Sequence, residues 1–505
     1  MSSFVLALDF GHGGGRVLFL DVDNGKSFSS YQKWSYFSPE ADDFCKEFDP
    51  STFFKILCDL VRVTIDKNKI KPEDVIGISA ASMRHSYVFL DKNNKEIYGG
   101  PNFDTRGLFY QDVFEEEVDL DLYNLTGQWP PLMFMPARLL WFKNEKPDLF
   151  NRIKYAVSTC DWLIYKLSGV FASEPSLACN TMLFDIYKKT WVYDILERLD
   201  MNNINLPELR CSGEKIGELR RETSKLMGLK ENTPIVLGGS DTQLGLLSSN
   251  VVNDYDVGIV AGTSTPVMMV LSKPVIDDKK RIWTGCHVLK DKWVLESNAQ
   301  MSGLIYEWMK NNFQRLLKKD DDEVYSFMES LAREIPPGSD DVLSFLGSEI
   351  FNADSLSVIR PGMFTFQQPV HPMNNNPASF GHFVRACLEN ICFAIKGNIE
   401  QIEEVSNKGS DFLHVTGGMC KNDLWTEILA NVTGKKIVST NIAEGTSLGC
   451  GLCASVGVGL FKDFYEAGKK LVEFKKEIKP EAEKVKIYRS SYNNWKKWYD
   501  KLADI

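Results

Sequence analysis

The chain has 505 residues, 44% of them hydrophobic and 25% charged, with a formal net charge of −10. This is a globular composition, and the length excludes a single core, because cores stop growing near ~250–300 residues; two domains are expected. The acidic balance argues against nucleic acid as the main partner, yet allows a polyanionic small ligand in a locally positive site.

In chain order, the first predicted element is the strand Phe4-Val-Leu-Ala-Leu-Asp9. Met1 to Leu8 is apolar, but it has no basic start and Asp9 interrupts it, so it reads as strand and not as signal peptide. Gly11-His12-Gly13-Gly14-Gly15-Arg16 follows, and then a second apolar run, Val17 to Leu20, which together predict a β-hairpin. A glycine turn lets backbone N–H groups approach phosphate oxygens, and Arg16 adds a charged donor. The dinucleotide fingerprint needs a helix after its glycines, and here a strand follows. Asp9 faces the turn, where a carboxylate either caps it or holds magnesium, directly or through water.

Val75 to Ser79 predicts another strand, leading into Ser82-Met83-Arg84-His85. With Asn102-Phe103-Asp104-Thr105-Arg106 this makes a polar cluster, suited to hydrogen-bonding a polyol or to a surface ion-pair network. Helices are predicted over Ala137 to Lys143 and Asp161 to Leu167, the latter stopped by Gly169. The strand Pro234 to Leu237 ends in Gly238-Gly239-Ser240, and Asp241 then precedes an apolar helical run. Asp241 is either a helix N-cap or a general base that takes a hydroxyl proton during phosphoryl transfer. The domain boundary is predicted near Asn250, giving domains 1–249 and 250–505.

A second hairpin opens the second half: Val257 to Ala261, the turn Gly262-Thr263-Ser264, then Pro266 to Val270. Two similar hairpins opening two similar halves predict a duplicated architecture with a ligand between them. Lys319 to Glu323 reads as a solvated acidic loop. Leu413 to Thr416 predicts a strand before Gly417-Gly418, where an adenine ring could lie against backbone. Cys450 and Cys453 fall in a small-residue helical run and read as packing rather than metal ligands. The eleven scattered cysteines fit reduced thiols in the cytoplasm, and no run of ~20 apolar residues predicts a membrane span. The tail is predicted to dock a helix through Tyr488, Tyr492, Trp495 and Trp498.

In this order the motifs resemble the FGGY carbohydrate kinases of the actin-like ATPase superfamily. The resemblance rests on Asp9, Gly11 and Arg16; on Asp104 and Arg106; on Asp161-Trp162, Tyr165, Leu167 and Gly169; on Gly239 and Asp241; and on Gly262-Thr263-Ser264. Further on, it rests on Gly417-Gly418, Leu424-Trp425, Gly434, Glu444 and Gly449. It implies an α/β fold of two actin-like (ribonuclease H-like) domains around a cleft that takes ATP and Mg2+ and closes to exclude water. Asp241 would be the base, and Arg84, His85 and Asp104 would line the acceptor pocket with it. Gly11, His12, Gly13 and Arg16 would hold phosphates with Gly262, Thr263 and Ser264. Gly417, Gly418 and Asn422 would meet the nucleotide, and Asp9 the metal.

Departures from the family pattern are His12 and Gly14 in place of hydroxyl residues, Glu427 in place of Gln, and Asn102 in place of Trp. Within the family, Ser82-Met83-Arg84, Asn102-x-Asp104-x-Arg106, Asp161-Trp162-Leu163 and Pro336-Pro337-Gly338-Ser339 are together most similar to the autoinducer-2 kinases, which phosphorylate linear dihydroxypentanedione. Xylulokinase-like and other pentulose or polyol activities are the alternative, as are a catalytically silent sugar- or nucleotide-binding regulator and an actin-like structural ATPase. The expected partners are ATP and a small sugar or polyol, with no nucleic acid and no membrane; a homodimer is compatible with the sequence.

Overall fold

A computed structural model describes residues 3–39, 43–355, 361–367, 378–440 and 444–502. Two mixed sheets form its frame. The first runs, in spatial order, Lys215–Glu218, Pro234–Ser240, Val75–Ser82, Phe4–Phe10, Gly14–Asp21 and Ser27–Lys33. The second runs Trp283–Cys286, Trp293–Asn298, Pro266–Leu271, Val257–Val260, Phe412–Thr416, Lys436–Thr440 and Phe474–Ile478. Each has the same kernel: an antiparallel hairpin whose first strand also pairs in parallel with a strand from far downstream. Both predicted hairpins are present, and the strand ending in Gly238-Gly239 continues through the glycines to Ser240.

Every residue of Phe4–Phe10 is buried, because helices cover both faces of the first sheet. Leu6, Leu8 and Phe10 join one apolar cluster with Phe53, Leu57 and Trp162, while Val5 and Ala7 join another with Leu448 and Cys453. That split is the two-residue period of a strand carried into the core. The second cluster crosses the predicted boundary. The sheets divide near Asn250, but helix Gly445–Gly457 returns from the second half to pack on the first sheet, against Phe4–Phe10 and helix Asp241–Ser248. Its run of Gly, Ser and Cys permits the close approach. Cys450 and Cys453 are fully buried there, and all eleven cysteines are free thiols.

The core of the second lobe is organised by the 27-residue helix Phe380–Ser406. Against it packs the C-terminal helix Ala482–Leu502, with Tyr488, Tyr492 and Trp495 buried. The Trp495 indole donates to Asn390 Oδ1 at 2.9 Å. Trp498, predicted on the same face, is 42% exposed instead. At about 100° per residue, position 499 returns to the buried stripe and 498 does not; Tyr499 accordingly stacks on Trp495. The acidic run is also no plain loop. Asp320 caps helix Asp321–Arg333, accepting from the Glu323 N–H at 2.9 Å, and the next three acids occupy its first turn.

Candidate active site

Asp241 is the first residue of helix Asp241–Ser248, directly after strand Pro234–Ser240. Ser240 holds the N-cap position but makes no side-chain cap bond; its hydroxyl bonds Gln243 Oε1 instead. Asp241 Oδ1 accepts from the Thr242 N–H at 2.8 Å, and the Thr446 hydroxyl donates to its carbonyl at 3.1 Å. Burial raises its pKa above the ordinary carboxylate value, Arg84 pulls it back, and Glu296 raises it further. A carboxylate with raised proton affinity suits a general base.

Asp9 stands opposite Arg16 in the first hairpin and accepts from the Ser447 hydroxyl at 3.2 Å. Burial pushes its pKa up to about 6 against the pull of Arg16, and the nearby Asp241 adds to the rise. The first turn is closed by a bond from the Gly11 N–H to the Gly14 carbonyl at 3.1 Å, which leaves Gly13 exposed. Gly14 is required by space: a Cβ there would lie 2.3 Å from the Gln32 carbonyl oxygen and 2.7 Å from the Tyr31 ring. The ring that excludes a side chain at 14 brings a hydroxyl of its own. Tyr31 donates to the Gly13 carbonyl at 3.0 Å, and Arg16 lies 5.0 Å over its face.

Two departures from the family pattern meet in space. His12 Nδ1 bonds Asn102 Oδ1 at 2.9 Å, and the imidazole packs against Phe103 with ring centroids 4.7 Å apart. Tyr36 donates to the His12 carbonyl at 2.6 Å. His12 is therefore held in place, close enough to Asp241 to act on its charge.

In the second turn, the Gly262 N–H donates to the Ser264 carbonyl at 3.0 Å, and Thr263 and Ser264 are exposed. The turn abuts Gly417, whose φ is 104° and whose added Cβ would lie 2.4 Å from the Ala261 carbonyl oxygen. Gly418 faces open space. Gly262 to Ser264 and Gly417-Gly418 thus form one continuous ledge. Asn422, expected to meet the nucleotide, also caps a helix. Its Oδ1 caps helix Asp423–Thr433 by accepting from the Trp425 N–H at 2.9 Å, and its Nδ2 donates to the Tyr306 hydroxyl at 3.0 Å. Glu427 adds no bare charge at the site, because Arg333 pairs with it at 3.2 Å.

The polar cluster of the first lobe sorts into two layers. Arg84 lies close enough to Asp241 to act on its charge, and His85 is its neighbour in sequence. Arg84 makes a two-point ion pair with Glu296, on strand Trp293–Asn298 of the other sheet; one contact is 2.6 Å. His85, at φ 54°, bonds the Asn180 carbonyl through Nδ1 at 3.2 Å. A carbonyl only accepts, so Nδ1 carries the proton and Nε2 presents a lone pair. Nε2 is buried with no hydrogen-bond partner among the described residues. Burial, then Arg84 and Arg138, hold the His85 pKa well below its ordinary value. Its ring is flanked by Phe134 and by Trp283 of the second lobe.

Asp104, expected to line the pocket, is instead sealed beneath it. It is fully buried and accepts from Arg106 Nε at 2.8 Å, from the Lys46 N–H at 3.2 Å and from the Tyr98 hydroxyl. Arg106 continues to Glu47 at 2.8 Å. A carboxylate so engaged orders the segment that carries Asn102 and Phe103. Sequence reasoning missed Glu296, although a lone acid inside the apolar strand Trp293-Val-Leu-Glu-Ser-Asn298 is a usable signal. It missed Tyr31 and Ser447 with no comparable sign.

Two lobes of one plan, each opened by a hairpin with a glycine turn, match the two-lobed, actin-like class of phosphotransferases. The chain belongs to the FGGY family of carbohydrate kinases: residues 4–248 match the model of the family's N-terminal domain, and residues 257–458 that of its C-terminal domain. It is accordingly an ATP-using kinase acting on a hydroxyl of a sugar or sugar-like molecule. It is 28% identical over 508 residues to the autoinducer-2 kinase of Salmonella typhimurium, covering 98% of this chain and 94% of that one. The Escherichia coli K12 autoinducer-2 kinase matches with the same identity and coverage. Among solved structures, a ligand-bound xylulose kinase from Lactobacillus acidophilus superposes with a TM-score of 0.84 at 20% identity, covering 99% of this chain and 98% of that one. A gluconate kinase from the same organism gives 0.85 at 20% identity, covering 100% and 99%. At such identities these two carry the fold alone. Among the described residues, no helix is long and apolar enough to cross a membrane.

Proposed function

We propose that the chain transfers the γ-phosphoryl group of ATP to a hydroxyl of a small, uncharged, linear acceptor, of which dihydroxypentanedione is the first candidate. The single observation that carries the reading is the position of Asp241: a half-buried carboxylate of raised proton affinity at the start of a helix, beside Arg84 and near Asp9 and His12. In the step, the acceptor oxygen forms a bond to Pγ as the bond from Pγ to the β–γ bridging oxygen breaks. The acceptor proton passes to Asp241, and ADP leaves with the bridging oxygen.

The remaining residues position the reactants. The His85 Nε2 lone pair accepts from an acceptor hydroxyl, and Trp283 and Phe134 wall the pocket against water. The exposed hydroxyls of Thr263 and Ser264 and the backbone of the two turns face the phosphates, with Gly418 leaving room for the nucleotide. The donor set also fits magnesium. No group of three or more His, Cys, Asp or Glu side chains among the described residues could cage a metal, but one carboxylate, Asp9, completed by phosphate oxygens and water, suits an ion that keeps several waters. When bound, that ion would neutralise phosphate charge.

Dihydroxypentanedione is favoured over xylulose by the full-length similarity to autoinducer-2 kinases. A silent regulator is disfavoured because the unusual residues are accommodated: Tyr31 fills the space at Gly14, Asn102 holds His12, and Arg333 pairs with Glu427. The test is a coupled ATP-consumption assay over dihydroxypentanedione, pentuloses and polyols. Dihydroxypentanedione is expected to give the highest kcat/KM. Asp241→Asn is expected to bind ATP and to lose about 10²–10⁴ in turnover. Near-parental turnover in that variant would remove Asp241 from the role, and nucleotide binding without turnover on any acceptor would restore the silent reading.

A further inference from the structure

Arg84 is the cation beside the base in the acceptor pocket. His85 is buried with its Nδ1–H on the Asn180 carbonyl, and its remaining nitrogen offers a lone pair rather than a charge. Arg138 and Arg106 lie fully buried, Arg138 donating to the His85 carbonyl at 2.8 Å and Arg106 to Asp104. A guanidinium next to a pocket for a small polar molecule would ordinarily receive a carboxylate through its paired N–H groups. Here that face is already taken by Glu296, which reaches across from the second sheet to contact both terminal nitrogens. Both partners are nearly sealed from solvent, with side chains 9% and 4% exposed. Counting Arg84, Glu296 and Asp241, the pocket holds one positive and two negative groups.

We infer that Glu296 is a specificity-determining residue: by occupying the carboxylate-binding face of Arg84 from the opposite lobe, it restricts the acceptor pocket to uncharged molecules and rejects acids of the same size. This deepens the kinase reading above and rests on it for the location of the pocket. An acidic acceptor would meet a guanidinium that is already paired, and would have to displace Glu296 to reach it. A desolvated carboxylate left without its partner is strongly disfavoured, which makes the exclusion steep.

The experiment uses the full chain with D-xylulose and D-xylonate, which match in carbon number and differ in charge. Binding is measured by calorimetry with a non-hydrolysable ATP analogue present, and turnover separately by ATP consumption. The parental protein is expected to bind xylulose more tightly than xylonate. Glu296→Gln keeps the shape and frees the Arg84 charge, and is expected to tighten xylonate about tenfold or more while leaving xylulose equal or weaker. Arg84→Gln in the Glu296→Gln background is expected to abolish that gain. Should Glu296→Gln not fold, Glu296→Met, similar in volume, is expected to show the same tightening. Unchanged xylonate affinity in a folded Glu296 variant, or a parental preference for the acid, would overturn the inference. If no acceptor is phosphorylated by any form, the kinase reading fails by itself, and the binding comparison still decides the role of Glu296.

Discussion

Replacing Asp9 by asparagine tests whether the site stores an unfavourable charge for a cation to relieve. Asp9 is 6% exposed, and its pKa rises from an ordinary 3.8 to about 6. At about 1.4 kcal/mol per pH unit, that difference is worth about 3 kcal/mol. The sign follows from the direction. The fold favours the protonated carboxyl, so this stabilisation is complete below 3.8 and disappears as pH rises through about 6. Above that pH the ionised, buried carboxylate is carried at a cost. Asparagine stays neutral, and its side chain can still pair with the Ser447 hydroxyl. The variant should therefore gain on the parental protein between pH 4 and pH 7, reaching about 3 kcal/mol of relative stability by pH 8, while its magnesium-dependent turnover collapses. Urea denaturation of ligand-free protein at pH 4, 5, 6, 7 and 8 measures the difference. A difference that stays flat across this range would refute the reasoning, because it would mean that Asp9 is not held above its ordinary proton affinity.

Gly14→Ser should cost roughly 1–3 kcal/mol by overpacking against Gln32 and Tyr31, and should raise the KM for ATP more than that for the acceptor, read from melts and initial rates. Asn102→Ala removes the bond that holds His12; with one hydrogen bond worth about 0.5–1.5 kcal/mol, kcat/KM should fall by up to about tenfold with little change in melting temperature. Trp495→Ala should destabilise the second lobe by about 3–5 kcal/mol, whereas Trp498→Ala should stay within about 0.5 kcal/mol; urea titrations of the two variants separate the buried face of the last helix from the exposed one.

Local signals carried much of the fold. Both hairpins, the helix stopped by Gly169 and the strand leading to Asp241 follow from apolar period and glycine punctuation, which act over a few residues. The two glycine turns were legible for the same reason, since a turn without side chains leaves its mark in composition. The polar cluster was legible only as a cluster. Nothing in Asn102-Phe103-Asp104-Thr105-Arg106 tells which members face a pocket, and the structure turns Asp104 inward to Arg106 and Tyr98 while leaving Asn102 to meet His12. Asn422 shows the same ambiguity, because a polar residue before a helix is as fit for capping as for binding.

What the sequence determined by itself is the repertoire: two repeated hairpins, a lone acid after a glycine-rich strand end, and an apolar register dense enough for two cores. What only the tertiary structure decided is who meets whom. Helix Gly445–Gly457 crosses back onto the first sheet, Ser447 reaches Asp9, and Glu296 closes on Arg84 from the far lobe. These contacts join residues separated by hundreds of positions, and their energies come from burial and from charges brought together in a low dielectric. Neither exists until the chain has folded, so neither leaves a periodic trace in the order of its residues.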